Sequence, residues 1–136
     1  MDSTYLKPLP ENDPLTQPYW DNALENKLSI QYCSQCGHSH FPASPVCPQC
    51  LSDQQHWQVV SGDATLVSWV KFHRAYWNGF REELPYDVCL VQLDEGPMVL
   101  SNFRGPAPEG LHAGMRLRAV FNHVTAKLSL VNFVKA

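Results

Sequence analysis

The sequence lacks several features that would assign it quickly. Nowhere do about 18 apolar residues run together, so no continuous helical membrane span is written into it. No basic block exceeds two residues, and ten Lys plus Arg against thirteen Asp plus Glu leave a net charge of −3. Electrostatic wrapping of nucleic acid is therefore not encoded in the composition. No G-x-S-x-G elbow, no phosphate-cradling glycine loop and no H-E-x-x-H occurs. The opening stretch, MDSTYLKPLPENDPLTQPYW, has no basic segment followed by an apolar run, and the expected location is the cytoplasm.

What is present is a chain of 136 residues, 44% hydrophobic and 17% charged. A chain of this size buries roughly 70% of its unfolded surface, enough for one real core, so a second small module would need a staple. Five cysteines occur, four of them between positions 33 and 50. In a cytosolic chain such crowding argues for metal before disulfides.

Pro8, Pro10, Pro14 and Pro18 break any helical period at the start, which reads as an extended arm. From Tyr19 to Leu28 the spacing of Trp20, Ala23, Leu24 and Leu28 predicts a short amphipathic helix. A helix of about ten residues is marginal alone, so it either covers a core or docks on a partner. After Ser61-Gly62 the texture is β-like, with five runs at 65–73, 88–93, 98–103, 115–123 and 127–134. Met115, Leu117, Ala119 and Phe121 alternate with polar neighbours, giving one core face and one wet face. Val88-Cys89-Leu90-Val91 is apolar on both sides, as a strand covered on each face would be. Asp94-Glu95-Gly96 and Thr125-Ala126 supply hairpin turns. The stretch 105–114 has room for one helical turn but not for a crossover helix, so the strands are mostly antiparallel.

The expected architecture is mainly β: an arm and short helix over 1–29, a four-cysteine zinc ribbon over 30–60, and a five-stranded OB-fold barrel over 61–136, with an SH3-like barrel as the alternative.

Cys33-x-x-Cys36 and Cys47-x-x-Cys50, ten residues apart, place four thiolates where tetrahedral Zn²⁺ wants them. Rubredoxin-type iron uses the same ligands. Four sulfurs saturate the ion and leave no position for substrate, so the metal is expected to be structural, contributing on the order of 10–16 kcal/mol of apparent folding free energy. Phe41 and Trp57 are placed to pack the back of the ribbon. His38 and His40 are read as exposed ribbon residues, and Cys89 as a buried small hydrophobe rather than a nucleophile. Glu82-Glu83 and Asp94-Glu95 are read as solvated turn residues, His73 and His123 as polar strand ends. No nucleophile and base are brought together by the sequence.

The loop His73-Arg74-Ala75-Tyr76-Trp77-Asn78-Gly79-Phe80-Arg81 concentrates aromatics and arginines. Arg74, Tyr76, Trp77, Phe80 and Arg81 suit an adenine-bearing anion such as a coenzyme A thioester, or the anchors of a protein interface. Single-stranded nucleic acid on an OB face is a third use of such a set.

The order of motifs, YWDNALENKL, QYCSQCGHSHFPASPVCPQC, WQVVSGDATLVSW, PYDVCLVQLDEG and GMRLRAVF, resembles the domain-of-unknown-function family whose members join a rubredoxin-like zinc ribbon to an OB fold. The resemblance runs over nearly the whole chain. It implies a non-catalytic, acyl-CoA-associated subunit in a hetero-oligomer with a thiolase, a thiolase-like acyltransferase, an enoyl-CoA hydratase or a retro-aldolase. It also implies Cys33, Cys36, Cys47 and Cys50 as the Zn²⁺ ligands. Ala43 stands where a second proline is common, and Ala64 where a second glycine is; both lie near the junction between ribbon and barrel and neither touches the ligands.

Overall fold

A computed structural model describes residues 5–11 and 13–136. The arm reading at positions 1–4 and 12 lies outside these residues. Asp13 starts the helical turn: its carboxylate accepts the Leu15 amide at 2.8 Å and its carbonyl accepts the amides of Thr16 and Gln17. Helix α1 then spans Gln17–Leu24, with Pro18 in its first turn, where a missing N–H costs nothing.

The helix is shorter than its periodicity predicts. Asn26 adopts φ +61°, and the chain leaves the helix before Leu28. Leu28 instead begins strand β1 (Leu28–Cys33), buried with Ile30. β1 pairs antiparallel with β2 (Ser39–His40) on one side and β3 (Gln55–Val60) on the other, which makes the ribbon sheet.

The second sheet has the order β6-β5-β4-β7-β8, all neighbours antiparallel: β4 (Asp63–Phe72), β5 (Tyr86–Leu93), β6 (Met98–Ser101), β7 (Arg116–Thr125) and β8 (Leu128–Lys135). β4 is shared. Its first residues pair with both β7 and β5, and a bulge between Leu66 and Ser68 bends it so that the sheet curls. The curl brings β6 back to β8 through one parallel bridge, Phe103 to Phe133, where the Phe133 amide donates to the Asn102 carbonyl and the Arg104 amide to the Phe133 carbonyl, both at 3.0 Å. Five strands in this order with a parallel closure form a half-barrel of OB type rather than an SH3-like barrel.

Gly96 takes φ +121° in the β5–β6 turn, as a short hairpin requires. The stretch 105–114 forms turns and no helix.

Inside the curl lie Ala64, Leu66, Cys89, Val91, Leu93, Val99, Met115, Leu117 and Phe133, all buried. Ala23 of α1 and Leu28 and Ile30 of β1 belong to the same core. The helix is therefore a core cover, packed on β1 and β8. One strand departs from expectation. β5 is buried on its inner side, but Val88 and Leu90 on its outer side are only half-buried, because nothing among the described residues covers that face completely. No helix among them is long and apolar enough to cross a membrane.

Two clasps are built on the β5–β6 turn, one within the half-barrel and one to the ribbon, and both correct the reading of Asp94-Glu95 as merely solvated. The Arg116 guanidinium donates to both Asp94 oxygens at 2.8 Å, holding that carboxyl below the usual range. Glu95 Oε2 accepts the Ser61 amide and hydroxyl at 3.0 and 2.9 Å, while its carbonyl accepts the Ser39 hydroxyl at 3.0 Å. A hairpin of the half-barrel thereby holds both the ribbon and the connection leading out of it.

Candidate metal centre and contact loop

The two Cys-x-x-Cys turns are built alike. The Gly37 amide donates to the Cys33 carbonyl and the Leu51 amide to the Cys47 carbonyl, each at 2.9 Å, with Gly37 and Leu51 both at positive φ. Each turn thus folds its cysteine pair toward the other. The result is a cluster of four sulfurs, all within 4.8 Å of one another, with Cys33 and Cys50 at 3.6 Å and Cys36 and Cys47 at 3.7 Å. A tetrahedron with bonds near 2.3 Å has edges of about 3.8 Å, so the donor set fits a four-sulfur metal ion.

Backbone amides support the sulfurs. Those of Gln35 and Cys36 point at Cys33 Sγ, each at 3.4 Å, and that of Gln49 at Cys47 Sγ at 3.3 Å. The Cys36 amide is the chief reason the Cys33 thiol is drawn down to about 6. Cys36 itself is pushed up to about 12: a backbone hydrogen bond at His38 acts to lower it, but burial and the three neighbouring sulfurs outweigh that. Such a cluster gives up protons as a cation enters.

His40 corrects the sequence reading. It is buried, with Nε2 at 2.7 Å from Gln55 Oε1 and His38 stacked on it at 6.1 Å. The four-sulfur cluster includes neither histidine. The back of the ribbon is packed by Phe41 and Trp57 as expected, but through Tyr19 of α1, whose ring lies 5.5 and 6.5 Å from theirs. Burial pushes the Tyr19 phenol up. Tyr19 stands one residue before Trp20 at the helix start, the one sign in the sequence of this packing role. Between α1, the ribbon and the half-barrel lies a cleft of about 350 Å³, with Tyr19, Trp20, Trp57, Leu100, Asn102 and Leu130 in its walls.

Cys89 lies buried on β5, and burial raises its thiol to about 11. In the metal-loaded native protein at pH 8 no cysteine is expected to react with a disulfide reagent within minutes. A chelator should release four reactive thiols, and denaturant the fifth. Rapid labelling of Cys89 in the folded protein would contradict this assignment.

The loop after β4 is organised by stacking. Tyr86 lies between Phe72 and Phe80, with centroids at 5.3 and 5.4 Å, and Tyr76 meets Phe72 edge-on at 6.3 Å. A 3-10 helix, Asn78–Glu83, carries Phe80 into this stack, so Phe80 is half-buried. The arm crosses over it. Lys7 sits 5.0 Å above the Phe80 ring and pairs with Glu83, and a Cβ at Gly79 would fall 2.7 Å from the Leu6 carbonyl carbon and oxygen. Glu83 is thereby an ion-pair partner rather than only a solvated turn residue. Arg74 lies over Tyr76 at 5.2 Å and Arg81 donates to Asn78 Oδ1 at 3.1 Å. Arg74, Tyr76, Trp77 and Arg81 remain exposed. The structure thus brings four of the five loop residues to the surface and uses Phe80 to hold them there.

Comparison with known proteins agrees with this architecture. The family model described as ChsH2, rubredoxin-like zinc ribbon domain, matches residues 20–55, and that of the ChsH2 C-terminal OB-fold domain matches residues 57–122. A DUF35 domain-containing scaffold protein of Pyrococcus furiosus is 34% identical over 102 residues, covering 75% of this chain and 74% of the relative. A probable enoyl-CoA hydratase alpha subunit of Thermomonospora curvata is 31% identical over 110 residues, 81% of this chain; the match spans only 34% of that longer relative. Among solved structures, a chain of the Ltp2-ChsH2(DUF35) aldolase superposes with a TM-score of 0.81 at 27% identity, covering 93% of this chain and 98% of that one. The chain belongs to the DUF35 family, with the zinc ribbon and OB-fold domains of the ChsH2 type.

Proposed function

We propose that this chain is a non-catalytic subunit of an acyl-CoA-processing enzyme, supporting or completing the active site of a hydratase, an aldolase or a thiolase-like acyltransferase. The observation that carries the reading is the nearly full-length superposition on a chain of an aldolase complex at 27% identity. The relative named as a hydratase alpha subunit points the same way. The chemistry of the chain agrees: a four-sulfur set leaves a bound ion no open position, and the thiol of Cys89 is buried.

Cys33, Cys36, Cys47 and Cys50 would hold Zn²⁺ as a structural ion, fixing the ribbon and hence the helix packed on it. Residues 1–29, 30–60 and 61–136 would then serve as arm with helix, ribbon and barrel. Arg74, Tyr76, Trp77 and Arg81, backed by Phe80, would contact the partner or the coenzyme A moiety of its thioester substrate. Such an assembly belongs in the cytoplasm, where free thiols persist.

The test is affinity purification of the tagged protein from its native host in mild salt, with mass spectrometry of what co-elutes. A stoichiometric hydratase, aldolase or thiolase-like subunit is the expected result. Recovery alone, or with nucleic acid that washes off as salt rises, would overturn the proposal.

A further inference from the structure

We infer that the convex outer face of β4, β5 and β6 is the surface that docks on the catalytic subunit, and that the subunit presents a concave apolar patch edged by carboxylates. This rests on the accessory reading above and adds to it where the partner sits.

Register places the face. Phe72 pairs with Tyr86, Val70 with Val88, Ser68 with Leu90, Leu90 with Leu100, and Gln92 with Met98. Side chains two apart on a strand share a face, so Phe72, Val70, Val88, Leu90, Leu100 and Met98 form one strip on the side away from buried Leu66, Val91 and Val99. Tyr76 packed on Phe72 extends the strip into the loop. Leu100 is 70% exposed, Tyr76 66%, Val70 55% and Met98 49%.

Exposed apolar side chains adjoining on one face of a sheet, rather than scattered singly, mark a protein contact surface. The composition includes interface anchors: Tyr, Phe and Met with arginines at the rim.

Shape and charge select the occupant. The core fills the inside of the curled sheet, so this outer side bulges over β4 and β5 and runs into the cleft beside α1 at Leu100. Two copies meeting face to face would touch along a narrow line and bury little, whereas a concave partner can wrap the bulge. At the rim, Glu83 is paired with Lys7. Arg74 and Arg81 make no ion pair among the described residues, which suits carboxylates on the other side. The low charge of the strip itself fits neither a phosphate backbone nor an anionic membrane.

The test uses the full chain and the acyl-CoA enzyme subunit identified by co-purification, each purified separately. Leu100→Glu and Val70→Glu are expected to weaken binding at least about 30-fold each. Val59→Glu, exposed on the ribbon strand β3, should stay within about twofold, with melting midpoints and metal content unchanged in all three. Hydrogen exchange on the unsubstituted complex supplies a readout independent of variants: amides of 86–101 should slow on binding. Unchanged affinity in both face variants, or no slowing in 86–101, would overturn the docking face while leaving the accessory role intact. Failure of the unsubstituted chain to bind any such enzyme would overturn both. A dimer of the chain alone that Leu100→Glu splits would make a second copy the occupant and overturn the inference.

Discussion

Replacing Cys47 with serine is expected to abolish metal retention and to melt the ribbon. Cys47 is fully buried, and its sulfur forms one edge of the cluster with Cys36. A serine oxygen is a harder, less acidic donor on a shorter reach, so the fourth corner of the tetrahedron is lost. A structural four-ligand site contributes on the order of 10–16 kcal/mol of apparent folding free energy, as much as a domain's whole stability of about 5–15 kcal/mol. The knuckle end of the ribbon has little else to hold it, since β2 is only two residues long. Metal content should fall from one ion per chain to near zero, with loss of exchange protection in β1, β2 and β3. The half-barrel should soften as well, because Leu28 and Ile30 of β1 share its core. Full retention of metal with an unchanged melting midpoint would contradict the assignment.

Truncating Phe133 to alanine should have the next largest effect. Its ring is fully buried, and its backbone makes the parallel closure to Asn102 and Arg104. Removing a buried Phe costs about 3–5 kcal/mol, most of what an average domain has to lose. With a urea dependence of roughly 2 kcal/mol per molar, the unfolding midpoint should move down by about 2 M. Leu100→Ala on the outer face should stay within about 0.5 kcal/mol, because that side chain is already largely in water. Equal effects of the two substitutions would mean that the inner and outer faces of the sheet have been confused.

The contrast shows which parts of the molecule the sequence made legible. Local spacing was enough for the sulfur cluster: two Cys-x-x-Cys turns ten residues apart are brought together by the short antiparallel ribbon. Period-2 alternation placed Met115 and Leu117 inside. The end of α1 was misread because Leu28 continues the helical period, while the backbone had already turned at Asn26. His40 was misread because its partner, Gln55, lies across the ribbon and its polarity gave no sign of burial.

Asp94 and Glu95 were misread for the same reason at longer range. Arg116, Ser61 and Ser39 are 22, 34 and 56 residues away in sequence. The aromatic loop was recognised by composition, but the division of labour within it was not, since it depends on Phe72, Tyr86 and the arm.

The Glu95 clasp has a mechanical consequence. Ribbon and half-barrel are joined by the covalent thread at Ser61, by the shared core and by a carboxylate that grips that same thread, while the neighbouring carbonyl grips Ser39. The two halves should therefore tumble with one rotational correlation time, as a single lever rather than as beads on a string. An enzyme that grasps the outer face of the half-barrel would then also fix the heading of the metal knuckles at the far end.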